Sequence, residues 1–290
     1  MMINNVDDKF ETFLLLSKRN DRKGEGGLRK KGYSKRSYKN KPLISIVTVV
    51  FNGEEFLEET IQSVANQTYD NVEYIIIDGG SVDETLDIIK KYEEQIDYWV
   101  SEKDNGIYDA MNKAIEVYFG EYIWFLNAGD TIYDSNVITN MFHCSVDADI
   151  FYGATQLVDQ DGEFIKLIKQ PENFNLKSLT KGMVVSHQSV VVKRKFVFPY
   201  NLKYKFVSDH DWLINASRDA KSFQDTSLTM SKYLLDGFSQ NNFFGCWKDR
   251  LAIVSMQYGR SVLLLNYILF IKALLKNTLK KALQSFGLLK

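Results

Sequence analysis

Cysteine is nearly absent from this chain: Cys144 and Cys246 are the two among 290 residues. Two thiols cannot make a disulfide scaffold, and a reducing compartment fits better than export. There are three histidines, too few for a Cys/His ligand cluster, which excludes a zinc module. Three prolines rule out a collagen or a Pro-rich linker protein. The N-terminus carries Asp7, Asp8 and Glu11 ahead of the short apolar run 13–16, and no small-residue cleavage site follows, so it does not read as a secretory signal. Near the C-terminus the charge-free stretch 261–271 covers 11 residues before Lys272. A spanning helix needs about 20 mostly apolar residues, so a transmembrane segment is not expected. What is present is 45% hydrophobic and 25% charged residues, ample for one large domain or two modest ones.

The net charge of −1 conceals a segregation. Residues 18–41 hold 11 Lys/Arg against Asp21 and Glu25, while residues 42–250 hold 18 basic and 32 acidic side chains. Residues 251–290 hold six basic side chains and no acid. An acidic body argues against nucleic acid as a partner. Basic flanks suit an anionic membrane surface, or serve as solubilising tails. This divides the chain into a basic arm at 1–41 lying outside the core, a body at 42–250 and a basic tail at 251–290.

Residues 43–50 form a β-branched run buried on both faces, as in a central parallel strand. Phe51-Asn52-Gly53 breaks it, and 54–65 reads as an amphipathic helix. Residues 72–77 are a second such strand, ending in Asp78-Gly79-Gly80-Ser81. Ser81 is placed to cap a helix whose first turn holds Asp83 and Glu84. A strand at 96–100, a helix at 108–118 and a strand at 122–126 follow. This is a βαβ pattern with helices on both sheet faces. Further on, 164–168 is placed to return antiparallel to a strand at 150–156, 188–192 is β-branched, and 211–216 starts a helix. A mixed sheet finishing the same domain is expected.

Polar residues collect at strand carboxyl ends, where open α/β sheets bind ligands: Asn52, Asp78 and Asp130. Two carboxylates there suit a divalent cation or ribose hydroxyls. Each also has a purely structural reading, Asp130 as the cap of a helix near Thr131 and Asp78 as an organiser of its turn. Asp209-His210-Asp211-Trp212 opens a helix with groups suited to acid–base work, or simply caps it. His187 is either a functional imidazole or a packed one. The chain lacks a G-x-G-x-x-G fingerprint, a Walker lysine motif and a G-x-S-x-G elbow, which removes dehydrogenase, kinase and serine-hydrolase readings.

Residues 45–53, 60–67, 73–83, 101–113 and 124–130 together resemble the large GT-A family 2 of nucleotide-sugar glycosyltransferases. The likeness is to the bacterial branch that builds colanic acid, capsules and O-antigens. It covers about residues 43 to 215. It implies an α/β GT-A fold, a Rossmann-like mixed β-sheet flanked by helices, here with a C-terminal amphipathic helical extension. On the donor side it implies Val49, Phe51 and Asn52 beside the nucleobase and Asp78 bonded to it. Asp109 and Asn112 lie in a motif packed beside the donor. Asp130 matches the carboxylate that holds Mn²⁺ or Mg²⁺ on the diphosphate, although Asn127 and Gly129 stand where many members have further aspartates. Asp209 matches the general base of inverting members, with Asp211 the alternative. His187 and Gln188 match the acceptor side, which His210 and Trp212 would also border.

The expected activity is thus metal-dependent, inverting transfer from a UDP-, GDP- or dTDP-sugar to a glycan acceptor, lipid-linked by resemblance, in exopolysaccharide or lipopolysaccharide synthesis. The competing readings are a catalytically silent GT-A-like assembly protein and a nucleotidyltransferase. Against the latter, Phe51 to Glu55 is acidic where a basic phosphate loop would sit. Self-association is left open. From Lys272 the lysines recur at 276 and 280, with Leu274, Leu275, Leu279, Ala282 and Phe286 mostly opposite. That pattern predicts peripheral binding to the cytoplasmic face of the bacterial inner membrane, or docking on protein.

Overall fold

The structure is a computed structural model that describes residues 14–145, 147–235 and 242–285, the side chains of 277 and 279–285 excepted. In chain order the first half runs β1 (Gly24–Gly26), β2 (Ile44–Val50), α1 (Leu57–Ala65), β3 (Val72–Asp78), α2 (Thr85–Lys91), β4 (Tyr98–Ser101), α3 (Ile107–Val117) and β5 (Tyr122–Phe125). Then come β6 (Thr131–Ile132), α4 (Val137–Cys144), β7 (Ile150–Val158), β8 (Phe164–Ile168), β9 (Val190–Lys193), α5 (Ser208–Asp219), β10 (Phe223–Leu234), α6 (Phe243–Tyr258) and α7 (Arg260–Ser285). The ten strands form one sheet in the order β1-β4-β3-β2-β5-β9-β7-β10-β6, with β8 beside β7. β2 pairs in parallel with both β3 and β5, and β3 with β4, while β9 runs antiparallel between β5 and β7. This is the expected mixed α/β sheet flanked by helices, with β8 returning antiparallel on β7.

The period of two in the strands divides the interior into two cores. From β2, Ile44, Ile46 and Val50 join one core, and Val47 and Val49 the other. The first core is closed by Leu57, Ile61 and Val64 of α1 and by Ile138, Met141 and Phe142 of α4. The second is closed by Ala110, Met111, Ala114 and Val117 of α3 and by Trp212, Leu213 and Ile214 of α5. Each of the larger aliphatic, Met and Phe side chains among them contributes roughly 1.5–3 kcal/mol on burial. Both faces are therefore covered, and the exposed carboxyl edge is left for chemistry.

Several boundaries differ from expectation. Ser81 does not cap α2: its hydroxyl donates to Asp78, and Asp83 accepts from the Thr85 backbone and hydroxyl instead. Asp130 caps no helix, because Thr131 and Ile132 pair with β10 and the next helix starts at Val137. Gln188 lies in a 3₁₀ turn, His187–Ser189, that precedes β9.

The larger correction concerns residues 18–41. They are not an arm outside the core. β1 pairs antiparallel with β4 and forms the sheet edge. Arg29 is buried, its Nη2 2.6 Å from Glu73 Oε1, and its Nη1 donates to the carbonyls of Leu14 and Val117. Its guanidinium also stacks on Phe119. Arg22 pairs with Glu102 at 2.8 Å and Lys35 with Asp97 at 2.8 Å, while Lys31 and Lys41 pair with Glu94 and Asp70. The basic segment is thus paired with carboxylates of the acidic body.

At the C-terminus, α6 crosses the boundary expected at 250/251 and buries Ile253 and Val254. α6 and α7 form a hairpin whose inner side carries Trp247 against Phe270, ring centroids 5.4 Å apart. The hairpin grips the 3₁₀ turn Leu176–Lys181: Tyr258 Oη donates to Leu176 O (2.9 Å), Asn266 Nδ2 to Thr180 O (2.8 Å) and Arg250 to Lys181 O. Among the described residues no helix is long and apolar enough to cross a membrane. The side chains of Leu279, Lys280 and Ala282, and all of Phe286, lie outside the described residues.

Candidate active site

A cleft of about 630 Å³ opens at the carboxyl edge of the sheet. Asn127, Ala128 and Asp130 enter it from the turn after β5, Leu157 from the end of β7, and Tyr233 to Leu235 from the end of β10. It is also lined by Ile107, Tyr108 and Met111 of α3, by Met183 to Gln188, by Lys205 and Phe206 ahead of α5, and by Asp209 in its first turn.

The turn holding Asp130 is built by short-range bonding. Asp130 N donates to Asn127 O (3.0 Å), Gly129 N to Thr60 Oγ1 (3.0 Å), and Thr60 Oγ1 to Asp130 O (2.9 Å). Gly129 sits at φ 95°, a conformation an L side chain resists, so glycine is needed here. Asp130 is buried, and its carboxylate accepts from Leu234 N (3.1 Å) and from the Gln188 side chain. Burial without a cationic partner pushes its pKa up to about 8. Beside it, Asn127 Oδ1 is buried with no hydrogen-bond partner. Among the described residues there is no group of three His, Cys, Asp or Glu side chains suited to a metal ion.

Across the cleft, Asp209 Oδ1 accepts from Tyr108 Oη (3.2 Å) and His210 N (3.0 Å). Its apolar surroundings raise its pKa to about 6, and these two bonds hold it below what burial alone would give. His187 also lines the cleft, stacked on Phe125, with Nε2 2.8 Å from Tyr200 Oη. Burial lowers its pKa to about 4, so it is a neutral hydrogen-bonding group. Of the expected site residues, then, Asp130, His187, Gln188 and Asp209 share this cleft.

The others do not line it. Asp211 turns the opposite way and accepts from Gln257 Nε2 of α6 at 2.8 Å. Residues two apart on a helix point about 200° apart, so Asp209 and Asp211 cannot both face one cleft. His210 is buried, its Nε2 2.8 Å from Leu179 O, and Trp212 donates to Phe198 O while stacking on Tyr200. None of these three is among the residues that line the cleft. Asn112 likewise brackets the Tyr200 backbone, with Nδ2 3.0 Å from its carbonyl, and Asp109 Oδ2 accepts from Asn105 N (2.9 Å) ahead of α3.

The expected nucleobase residues form a separate shelf at the ends of β2 and β3. Val49 is buried, and Asp78 is fully enclosed, its oxygens taken by Ser81 and Ser101 hydroxyls. Ser81 Oγ in turn accepts from Asn52 N (2.7 Å), and Asn52 Oδ1 accepts from Val82 N (3.0 Å). Phe51 is left 63% exposed on this shelf. Tyr108, Lys205 and Phe206 went unnoticed in the sequence. Tyr108 adjoins Asp109 in a polar motif, and its aromatic character masked its reach.

The mixed sheet flanked by helices, with a cleft at its carboxyl edge, defines a GT-A-like Rossmannoid α/β protein. The profile of Glycosyl transferase family 2 matches residues 45–215, and the chain belongs to that family. It is 30% identical over 186 residues to an uncharacterized glycosyltransferase of Mycobacterium tuberculosis, covering 61% of this chain and 69% of the relative. It is 28% identical over 182 residues to a PGL/p-HBAD biosynthesis glycosyltransferase of Mycobacterium bovis, covering 60% and 69%. Its fold is similar to that of S. aureus TarS 1-349 in complex with UDP, with a TM-score of 0.57, 14% identity and coverage of 74% of this chain and 66% of that one. It is also similar to the Pyrobaculum calidifontis mannosyltransferase PcManGT in complex with GDP-Man and Mn²⁺, with a TM-score of 0.51, 14% identity and coverage of 79% and 66%. Family membership supports transferase activity in general.

Proposed function

We propose that this protein is an inverting glycosyltransferase that moves a sugar from a nucleotide-sugar to a lipid-linked glycan acceptor in bacterial surface polysaccharide synthesis. The observation that carries the reading is one cleft lined by Asp130, Asn127 and Asp209 together. In the step we infer, the acceptor oxygen bonds to the anomeric carbon as the bond to the diphosphate breaks. The acceptor proton passes to Asp209, and the nucleoside diphosphate leaves. A carboxylate near pKa 6 is basic enough to take that proton as it acidifies, yet largely ionised at pH 7. Phe51 offers an exposed ring face to the nucleobase.

Two buried oxygens, Asp130's carboxylate and the unpartnered Asn127 Oδ1, fit Mn²⁺ or Mg²⁺, with donor phosphates and water completing the oxygen shell. Such an ion, when bound, offsets the charge that develops on the leaving diphosphate.

We infer peripheral attachment to the cytoplasmic face of the plasma membrane through α7. Leu264, Ile268, Ile271 and Leu275 recur along one exposed side of it, with Tyr267, and exposed Lys272 and Lys276 follow the stripe's edge. An apolar stripe edged by lysines suits an anionic bilayer surface.

The test is nucleoside diphosphate release from a panel of UDP-, GDP- and dTDP-sugars, with EDTA, Mn²⁺ or Mg²⁺, beside a pyrophosphate assay. Metal-dependent diphosphate release is expected. Pyrophosphate release instead would point to nucleotidyl transfer, and no turnover of any sugar by a folded, nucleotide-binding protein would point to a silent domain.

A further inference from the structure

Tyr108 Oη lies 3.2 Å from Asp209 Oδ1 and 3.2 Å from Phe206 O. One proton serves both acceptors, and it favours the carboxylate whenever Asp209 is ionised, because a charged acceptor bonds more strongly. The ring is held in place. It stacks on Tyr200, centroids 5.5 Å apart, and Tyr200 stacks on Trp212 and meets His187 through its hydroxyl. Phe206 is fixed as well: its N–H donates to Asp249 Oδ2 of α6 (2.9 Å), and its ring fills the space where a Cβ on Gly245 would stand. Asp209 Oδ1 is thus engaged by two other residues, and the carboxylate also takes its own backbone N–H, while among the other described residues none bonds Oδ2.

Building on the base reading above, we propose that Tyr108 is a positioning residue: it pins Oδ1 of Asp209, reserves Oδ2 for the acceptor proton, and sets the pH at which the base works. The other titratable groups facing Asp209 are Tyr200 ahead of α5, Tyr233 of β10 and Cys246 of α6, with Lys205 and Asp130 on the same cleft. The tyrosines and the thiol are all held above their ordinary values, hence neutral where Asp209 titrates. Tyr108 is the one side chain among them in hydrogen-bond contact. Because Tyr108 also sits in the first turn of α3, directly after the Asp104-Asn105-Gly106 turn, it ties the acceptor base to the helix that opens beside the donor shelf.

The test uses the full chain and needs no identified acceptor. Aspartate carboxyl carbons are labelled with ¹³C and titrated by NMR, and the Asp209 signal is assigned by its loss in Asp209→Asn. In Tyr108→Phe the Asp209 midpoint should rise by roughly half a pH unit, since a bond to the anion is lost. With 3-fluorotyrosine at 108, a stronger donor, it should fall. The acid limb of nucleotide-sugar hydrolysis, with water as acceptor, should move in the same two directions, and turnover of Tyr108→Phe should drop roughly tenfold. Opposite shifts from one ring position are not produced by a packing role. An Asp209 midpoint unmoved by both changes overturns the proposal. If Tyr108→Phe does not fold, the fluorotyrosine protein decides alone. Unchanged turnover in Asp209→Asn would refute the base reading itself, and the NMR shifts would still report on Tyr108's hold.

Discussion

Asp130, the proposed metal-holding carboxylate, sits where its burial costs the fold. Its pKa stands at about 8 against an ordinary 3.8. A carboxyl raised in the folded chain favours folding while protonated. That contribution is complete below the unfolded value and is lost as pH climbs through about 8. In EDTA, Asp130→Asn should therefore melt above the unsubstituted protein at pH 8 to 9, by roughly 2–4 °C for each kcal/mol relieved, with little difference near pH 4. Adding Mn²⁺ with nucleoside diphosphate should raise the melting temperature of the unsubstituted protein alone, and glycosyl transfer by Asp130→Asn should be nearly absent. Scanning fluorimetry would detect this, and an equal melting temperature at pH 9 would contradict the burial cost. For Asp209→Asn, turnover should fall at least ~10²-fold with donor affinity retained. In the unsubstituted enzyme kcat/KM should decline below about pH 6, as Asp209 protonates. Asp211→Asn, with its partner on α6, should spare that pH limb; if it removes the limb instead, the base has been misassigned.

At the scale of elements, the edge strand β1 and the turn carrying Arg29 give the N-terminal segment a structural role. Arg29 and Glu73 are each almost wholly enclosed, with side-chain exposures of 1% and 2%. Removing one partner of such a pair strands the other, at about 3–5 kcal/mol. Arg29→Met should lower the melting temperature by roughly 10 °C. The loss should deepen as pH rises, because the stranded Glu73 then resists ionisation. Adding Glu73→Gln should recover much of it. A marginal effect of Arg29→Met alone, read by thermal denaturation, would mean that the segment is only laid against the body.

Viewed whole, the molecule places its chemistry at one sheet edge and its unpartnered apolar stripe on the hairpin that supports the cleft wall. Removing α7 outright would also remove Asn266, which holds Thr180 O and accepts from Arg250. Substitution on the exposed side is the cleaner probe of membrane attachment. Ile268→Glu with Ile271→Glu should abolish flotation on anionic vesicles at low salt while leaving nucleotide-sugar hydrolysis in solution intact. Vesicles that float both proteins equally, or neither, would exclude this stripe as the anchor.

The sheet was legible in the chain because strands buried on both faces are predominantly apolar, and 43–50 and 72–77 are so apart from Ser45, Thr48 and Glu73. Asp130's place at the carboxyl edge was legible for a similar local reason, since it follows a buried strand and a glycine turn. The N-terminal edge strand was not, because Gly24-Glu25-Gly26 has no apolar period and gains its place from β4, some 75 positions away. Nor could the chain choose between Asp209 and Asp211. Helix geometry puts them on opposite sides, but which side is the cleft depends on α6 arriving with Gln257 to take Asp211. Ser81 leaves its expected capping role to Asp83 for the same reason: its hydroxyl goes to the nearest buried anion, Asp78.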